Sequence, residues 1–421
     1  MSSPTKINYF RASLVLSVAV LFFLYEFVLQ VSPSVMTDPL MRDFSLGATG
    51  VSALAAFFYY GYTPMQLPGG LLYDRFGPRV VITAATAICM LGALFFAEAH
   101  SFFLAAVGRF MMGVGGAVSF VGVLLVASRW FPAKYFALIA GIIQALACVA
   151  AIAGQVPLAD LVAKFGWRST IFGIFIIGLV LVILIPLIMR DYPDGKVPPP
   201  KKKIGHGEIE NLRVVFRNNQ TWVMALYTFL VWAPVTIFAA LWGVDFLRES
   251  YDVSIQVSAE MVACLWIGIA VGSPLFGWWS EKIGLRVLPL FVSGLIGFLA
   301  AMVVIYVKMP IPVLLMVLFI FGLGASGQTL SFAVIRDNNP PGTVGTAMGF
   351  NNTACVAGGA ICQPLVGYLI HLSWDGTMKA GIPYYSVVEF QKALVVIPIC
   401  YLLCAFCARF MVKETYCKHE H

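Results

Sequence analysis

The chain has 421 residues, of which 60% are hydrophobic and only 11% charged, whereas a soluble domain carries about 25% charged residues. So little charge cannot clothe a water-facing surface of ordinary size, which excludes a soluble enzyme or binding module and leaves the apolar excess to face lipid. The formal net charge of +7 sits in short loops between apolar runs, a topological pattern that excludes nucleic acid as a partner.

In chain order, the apolar runs predict twelve membrane spans at 12–36, 48–72, 79–98, 101–128, 134–160, 167–190, 219–246, 256–279, 287–307, 311–336, 343–371 and 390–411. The first run is too long for the core of a cleavable signal and has no small-residue cleavage pattern, so it reads as a retained helix. The one long polar stretch follows the sixth run, where Pro198-Pro199-Pro200 and Lys201-Lys202-Lys203 form a stiff basic linker. This divides the chain into a six-helix bundle at 1–190, a cytoplasmic linker at 191–218 and a second six-helix bundle with a short tail at 219–421. Nineteen Lys and Arg residues fall on the side of the termini and linker and seven on the other, which predicts that both termini are cytoplasmic.

Eight of the nine cysteines lie inside apolar runs and read as small hydrophobes, with no disulfide framework or metal spacing. In the tail, Cys417, His419 and His421 read as solvated residues. No cofactor is implied: there is no P-loop, the five histidines fall in loops or the tail, and no repeated filter or charged ring suggests a channel.

The sharpest structural signal is an internal repeat. Gly70-Leu-Leu-Tyr-Asp74-Arg75-Phe-Gly77-Pro-Arg79 and Gly277-Trp-Trp-Ser-Glu281-Lys282-Ile-Gly284-Leu-Arg286 share one pattern at an offset of 207 residues. The same offset relates Asp38 to Asp245 and Arg129 to Arg336, and an offset of 208 relates Gly141 to Gly349, Gln144 to Asn352 and Gln155 to Gln363. Two parallel six-helix halves predict a solute site between them. The expected fold is an all-α membrane protein, twelve transmembrane helices in two pseudo-symmetric six-helix bundles.

The first of these loops resembles the signature of the major facilitator superfamily, and the second its weaker copy. Arg109-Phe-Met-Met-Gly113-Val-Gly115-Gly116 is similar to that superfamily's R-x-x-x-G-x-G element. The resemblance covers the whole chain and implies the major facilitator fold, rocking around a central cavity. It also implies a latch at Gly70, Asp74, Arg75, Gly77 and Arg79, repeated at Gly277, Glu281, Lys282 and Arg286, that stabilises the state closed to the cytoplasm. A finer resemblance runs through Tyr25-Glu26, Gln30, Pro33, Met36, Gly61-Tyr62 and the Gly70–Pro78 run. It looks like the phagosomal nutrient transporters of intracellular bacteria, and implies amino-acid uptake across a bacterial inner membrane. The fifth span lacks the G-x-x-x-G-P-x-x-G-G element of many drug antiporters.

Two charges lie far from any span end. Glu26 is ~15 Å from the outer end of span one and Arg109 ~12 Å from the outer start of span four; such residues default to functional hypotheses. At matching depth they are expected to pair. A substrate competing for Arg109 would leave the carboxylate to take up a proton, a physical route to coupling. Glu26, Gln30 and Ser34 share one helix face. Gln144 and Gln155 are eleven residues apart, about 20° from alignment, and Asn352 and Gln363 repeat that stripe; buried amides of this kind are expected to face inward. Tyr25, Tyr59, Tyr227, Trp232, Gln328 and Asn351 complete the expected substrate lining. Glycines 108, 115 and 122 recur every seven residues on span four, suited to close helix contact.

These residues predict a monomeric secondary transporter working by alternating access, with lipid, protons and a small polar solute such as an amino acid as its partners. The alternatives are an exporter or importer of an organic anion, siderophore or drug-like compound and, in another class, a non-transporting sensor or scaffold.

Overall fold

The computed structural model describes residues 9–132, 135–193 and 206–417. Lys134, the 198–203 run and the tail residues His419 and His421 lie outside the described residues. Among the described residues, eleven helical stretches are long and apolar enough to cross a membrane: Tyr9–Val35, Arg75–Ala97, Phe102–Trp130, Ile139–Phe165, Trp167–Ile188, Asn219–Tyr251, Ile255–Ile283, Val287–Tyr306, Ile311–Asp337, Val344–Leu372 and Val387–Phe410. The twelfth, span two, is joined to span three in one helical run, Ala48–Ala97, of 50 residues. A straight helix of that length would reach ~75 Å, more than twice the hydrocarbon core. Gly77 breaks it with φ 77° and ψ 160°, a conformation reserved for glycine. The arm before the break carries Ser52, Tyr59, Tyr62, Thr63 and Gln66, and its polarity reflects its place at the protein's centre. Within the predicted linker, His206–Arg217 is helical.

The repeat seen in sequence is also a repeat of backbone irregularity. Span one ends its α-helix at Val31 and tightens into a 3₁₀ turn, Ser32–Val35, at Pro33. Span seven opens instead into a π-helix, Val235–Trp242, directly after Pro234. In both, a proline removes a backbone donor and the helix re-forms with a different pitch. Span four is interrupted at Ala117–Val118 and span ten at Ser326. Short helices Thr37–Phe44 and Gly243–Tyr251 end in left-handed residues, Ser45 and Asp252, each at φ 53° and 207 residues apart.

Span entries are set by side-chain caps: Ser101 accepts from Leu104 N–H, Asn218 from Gln220 N–H and Ser254 from Val257 N–H. Ser386 and Glu389 form a capping box at the start of span twelve. Before it, a two-residue turn at Ala380-Gly381, both with positive φ, joins strands Met378–Lys379 and Ile382–Pro383. Tight packing within the first half follows the glycine heptad. A Cβ at Gly108 would lie 2.7 Å from the Gly92 carbonyl, at Gly115 2.4 Å from that of Ala85, and at Gly122 2.1 Å from the Tyr73 hydroxyl. Between the halves, span two packs on span eleven and span five on span eight, leaving a seam down the middle of the molecule.

Candidate functional site

Because the span number is even, the first and last spans begin and end at one face, here termed the near end. At the far end the seam is closed by bonds between the halves. Arg248 donates to both oxygens of Asp38 (2.8 and 3.3 Å), and Thr37 Oγ1 donates to Asp245 Oδ1 (3.0 Å). Trp242 Nε1 donates to Ser52 Oγ (3.0 Å), and Ala48 N–H to the Tyr385 hydroxyl (2.9 Å), which caps the start of span two. Around these contacts lies a polar cleft of about 300 Å³.

One layer deeper, Gln155 is fully buried and ties four spans together. Its Nε2 donates to Ser34 Oγ of span one (2.9 Å) and to the Ala239 carbonyl of span seven (2.6 Å), and its Oε1 accepts from Trp266 Nε1 of span eight (2.9 Å). Its repeat partner Gln363 donates to the Thr236 carbonyl (2.7 Å). The two amides thus grip the π-helical segment from both sides.

Below this seal lie the two deep charges. Glu26 and Arg109 are each 1% exposed. Among the described residues they do not form the expected ion pair. Arg109 turns to the backbone: Nη1 donates to Leu29 O (2.6 Å), Nη2 to Gln30 O (3.3 Å) and Ala55 O (3.4 Å), with the guanidinium 5.0 Å above the Phe58 ring. The break after Val31 leaves carbonyls near the end of the span-one helix without helical partners, and those of Leu29 and Gln30 draw the cation. Glu26 is seated over Gly116, where a Cβ would meet Glu26 Cγ at 2.5 Å. Its Oε2 accepts from Ser119 Oγ (3.1 Å), and its Oε1 has no hydrogen-bond partner. Gln30 Nε2 donates to the Tyr59 hydroxyl (3.3 Å), and the Tyr59 ring lies against Gly359 of span eleven.

The remaining candidates divide. Asn352 reaches across the seam to Gln66 Oε1 (2.8 Å). Gln328 approaches Cys355 Sγ at 3.6 Å. Gln144 and Trp232 are half-buried and make no hydrogen bond among the described residues. Three expected lining residues face elsewhere. Tyr25 packs inside the first bundle against Gly178 and Met90. The Tyr227 hydroxyl donates to Leu290 O (3.0 Å) within the second bundle. Asn351 is consumed there by Thr228 (2.8 Å) and Ser331 (2.9 Å). A one-residue difference in helix phase separates Asn351 from Asn352, and with it bundle packing from the seam. Sequence reading missed Gln66, Ser119 and the Thr37–Asp245 contact. The signal for Gln66 was present, an amide deep in an apolar run between Pro64 and Pro68.

At the near end, a Cβ placed at Gly70, Gly141, Gly277 or Gly345, on spans two, five, eight and eleven, would meet nothing within 4 Å among the described residues. Arg75 is exposed and stacks on Phe76, Glu281 is exposed, and Lys282 lies over Trp278; the side chain of Asp74 lies outside the described residues. The motif arginines act within their own halves. Arg79 N–H donates to Asp191 Oδ1 (2.8 Å) and its guanidinium to Pro186 O (2.7 Å). Arg286 pairs with buried Asp337 (3.0 Å), while its N–H donates to Glu414 (2.7 Å). In each half a carboxylate just past the last span caps the span that follows the motif. Among the described residues, the seam is held by several bonds at the far end and toward the near end by the Asn352–Gln66 contact.

Comparison with known proteins agrees with this architecture. The family model for the Major Facilitator Superfamily matches residues 18–361 and 224–412. Similar curated relatives include the hexuronate transporter of Bacillus subtilis, 24% identical over 80% of this chain and 83% of its own length. The probable galactarate/D-glucarate transporter of Escherichia coli is 24% identical over 84% and 85%. The chloroplastic ascorbate transporter of Arabidopsis thaliana is 22% identical over 85% and 70%. Among solved structures, a bacterial homolog of the human lysosomal transporter Spinster, inward-facing and unoccupied, superposes with a TM-score of 0.78 at 17% identity, covering 96% of this chain and 97% of that one. A D-xylose–proton symporter gives 0.72 at 13%, covering 97% and 99%. Helices, repeat, loop motifs and family model converge: the chain is an integral membrane transporter, not an enzyme, and belongs to the Major Facilitator Superfamily.

Proposed function

We propose that this transporter carries a small organic anion, taken up with protons across a bacterial inner membrane by a monomer whose termini and 191–218 linker are cytoplasmic. The observation that carries the anion reading is Arg109. Its guanidinium is buried at the seam, its hydrogen bonds go to neutral carbonyls, and no carboxylate lies within ion-pair reach among the described residues. An uncancelled positive charge in low-dielectric surroundings favours an anionic solute. Relatives named for hexuronate, galactarate/D-glucarate and sulfoacetate, each aligned over 80% or more of this chain, support the same class. Glu26, with one oxygen unengaged, serves as the coupling carboxyl in this reading.

Proteoliposomes with an acid-outside gradient are expected to accumulate a hexuronate or an aldarate, and excess sulfoacetate is expected to compete. Amino-acid uptake that none of these anions inhibits would overturn the proposal. It would favour the zwitterionic solute that the Glu26 and Arg109 charges, taken together, also suit. Solute that only leaves right-side-out vesicles under the same gradient would replace import by export.

A further inference from the structure

Gln66 lies mid-span in span two and is 7% exposed. Both ends of its amide are used: Nε2 donates to the Ala117 carbonyl (3.1 Å), and Oε1 accepts from Asn352 Nδ2 of the other half (2.8 Å). Measured along the helices, Gln66 is ~27 Å from the far end of span two, and Asn352 is ~12 Å from the near end of span eleven. Between described residues this is the one cross-seam hydrogen bond on the near side of Glu26. The repeat partners on the opposite face of the seam, Ser273 and Gln144, do not copy it. Ser273 accepts from Thr329 within its own half (3.0 Å), and Gln144 makes no hydrogen bond among the described residues.

The Ala117 carbonyl belongs to the interruption in span four. Tyr73 takes the next carbonyl, that of Val118 (2.7 Å), and Ser119 donates to Glu26 (3.1 Å). Glu26 and the Gln66–Asn352 bridge therefore hold the same three-residue step. Tyr62, one turn before Gln66, lies within electrostatic reach of the Glu26 carboxyl. The other titratable groups within electrostatic reach of Glu26 are Tyr59 from span two and Cys89 from span three; Arg109 of span four is directed at backbone carbonyls.

We propose that Gln66 and Asn352 are a positioning pair that ties the charge on Glu26 to closure of the near end, acting through the step at Ala117–Ser119. This rests on Glu26 being the coupling carboxyl. An ionised Glu26 accepts a charge-assisted bond from Ser119, about twice as strong as a neutral one, which holds the step and keeps the two amides aligned. Once the far-end bonds have parted, a proton from far-side water adds to Oε1, the oxygen without a partner. The neutral acid then holds Ser119 more weakly, the step relaxes and Gln66 turns from Asn352. The near end opens, and the same proton leaves to near-side water.

The test needs no substrate: hydrogen–deuterium exchange of the full chain in lipid nanodiscs at pH 5 and pH 9, with rates corrected for intrinsic exchange. Peptides spanning 60–74 and 344–356 are expected to exchange several-fold faster at pH 5 in the wild type. Glu26→Gln is expected to be fast at both pH values. Asn352→Ala and Gln66→Leu are expected to be fast at pH 9, with Asn352→Gln restoring protection. A wild type without the pH difference, or one whose difference survives in Glu26→Gln, overturns the link, as does full protection at pH 9 in both bridge variants. Failure of the anion reading would appear separately, as absent uptake in liposomes beside an intact exchange pattern.

Discussion

Glu26 and Arg109 are equally hidden from water, yet they meet the cost of a buried charge differently. Arg109 gives its terminal donors to three carbonyls and leaves Nε without a partner, while Glu26 keeps one oxygen unengaged. An unpaired buried group is expensive, and of the two Glu26 is the one that can shed its charge by taking up a proton. Glu26→Gln is expected to abolish proton-driven accumulation in proteoliposomes while counterflow persists; unchanged accumulation would remove Glu26 from coupling. Gly116→Ala places a methyl on Glu26 Cγ and is expected to cost about 1–3 kcal/mol through overpacking, read as a lower melting temperature, and to impair transport with it. Both deep charges were legible in the sequence because intramembrane charge is rare. Their separation was not, since depth along a helix does not reveal which backbone carbonyls a proline break leaves open. Tyr25 and Tyr227 were misplaced for a related reason, because an aromatic in an apolar run looks the same whether it faces the seam or the bundle.

Helix elements show what a repeat can and cannot announce. The offset of 207 residues foretold paired loops, and Gly77 and Gly284 both take positive φ, but with ψ of 160° and 23° they make different turns. It did not foretell that span one tightens where span seven widens, because Pro33 and Pro234 carry the same local instruction and the packing around them chooses the pitch. The halves also differ at their motif arginines. Asp337 stands 207 residues after Trp130, so Arg286 finds a buried carboxylate, whereas Arg79 turns to the Pro186 carbonyl. Arg286→Ala removes the more buried of the two cations paired with Asp337 and leaves Arg336 at 3.3 Å. It is expected to cost about 1–3 kcal/mol, measured as a fall in thermal stability in detergent. Arg79→Ala removes only neutral contacts and is expected to cost clearly less.

At the scale of the whole molecule, the two ends are unequally held. Among the described residues, the far end combines an ion pair, the Thr37–Asp245 contact, the Tyr385 cap and the Gln155 knot, against a single amide bridge toward the near end. Arg248→Ala removes a partly exposed pair, worth up to about 1 kcal/mol, or ~5-fold in population. It is expected to raise far-side labelling of a cysteine placed at Thr49 by an impermeant maleimide by that factor. The inequality also bears on kinetics. In the proposed uptake from the far side, the carrier must undo that seal with nothing bound before it can load again, and the empty return is expected to be the slow step. Solute waiting at the near end gives the protein a loaded way back, and uptake into preloaded vesicles is therefore expected to outpace uptake into empty ones. The expected consequence of the seal is a preference for exchange over net flux.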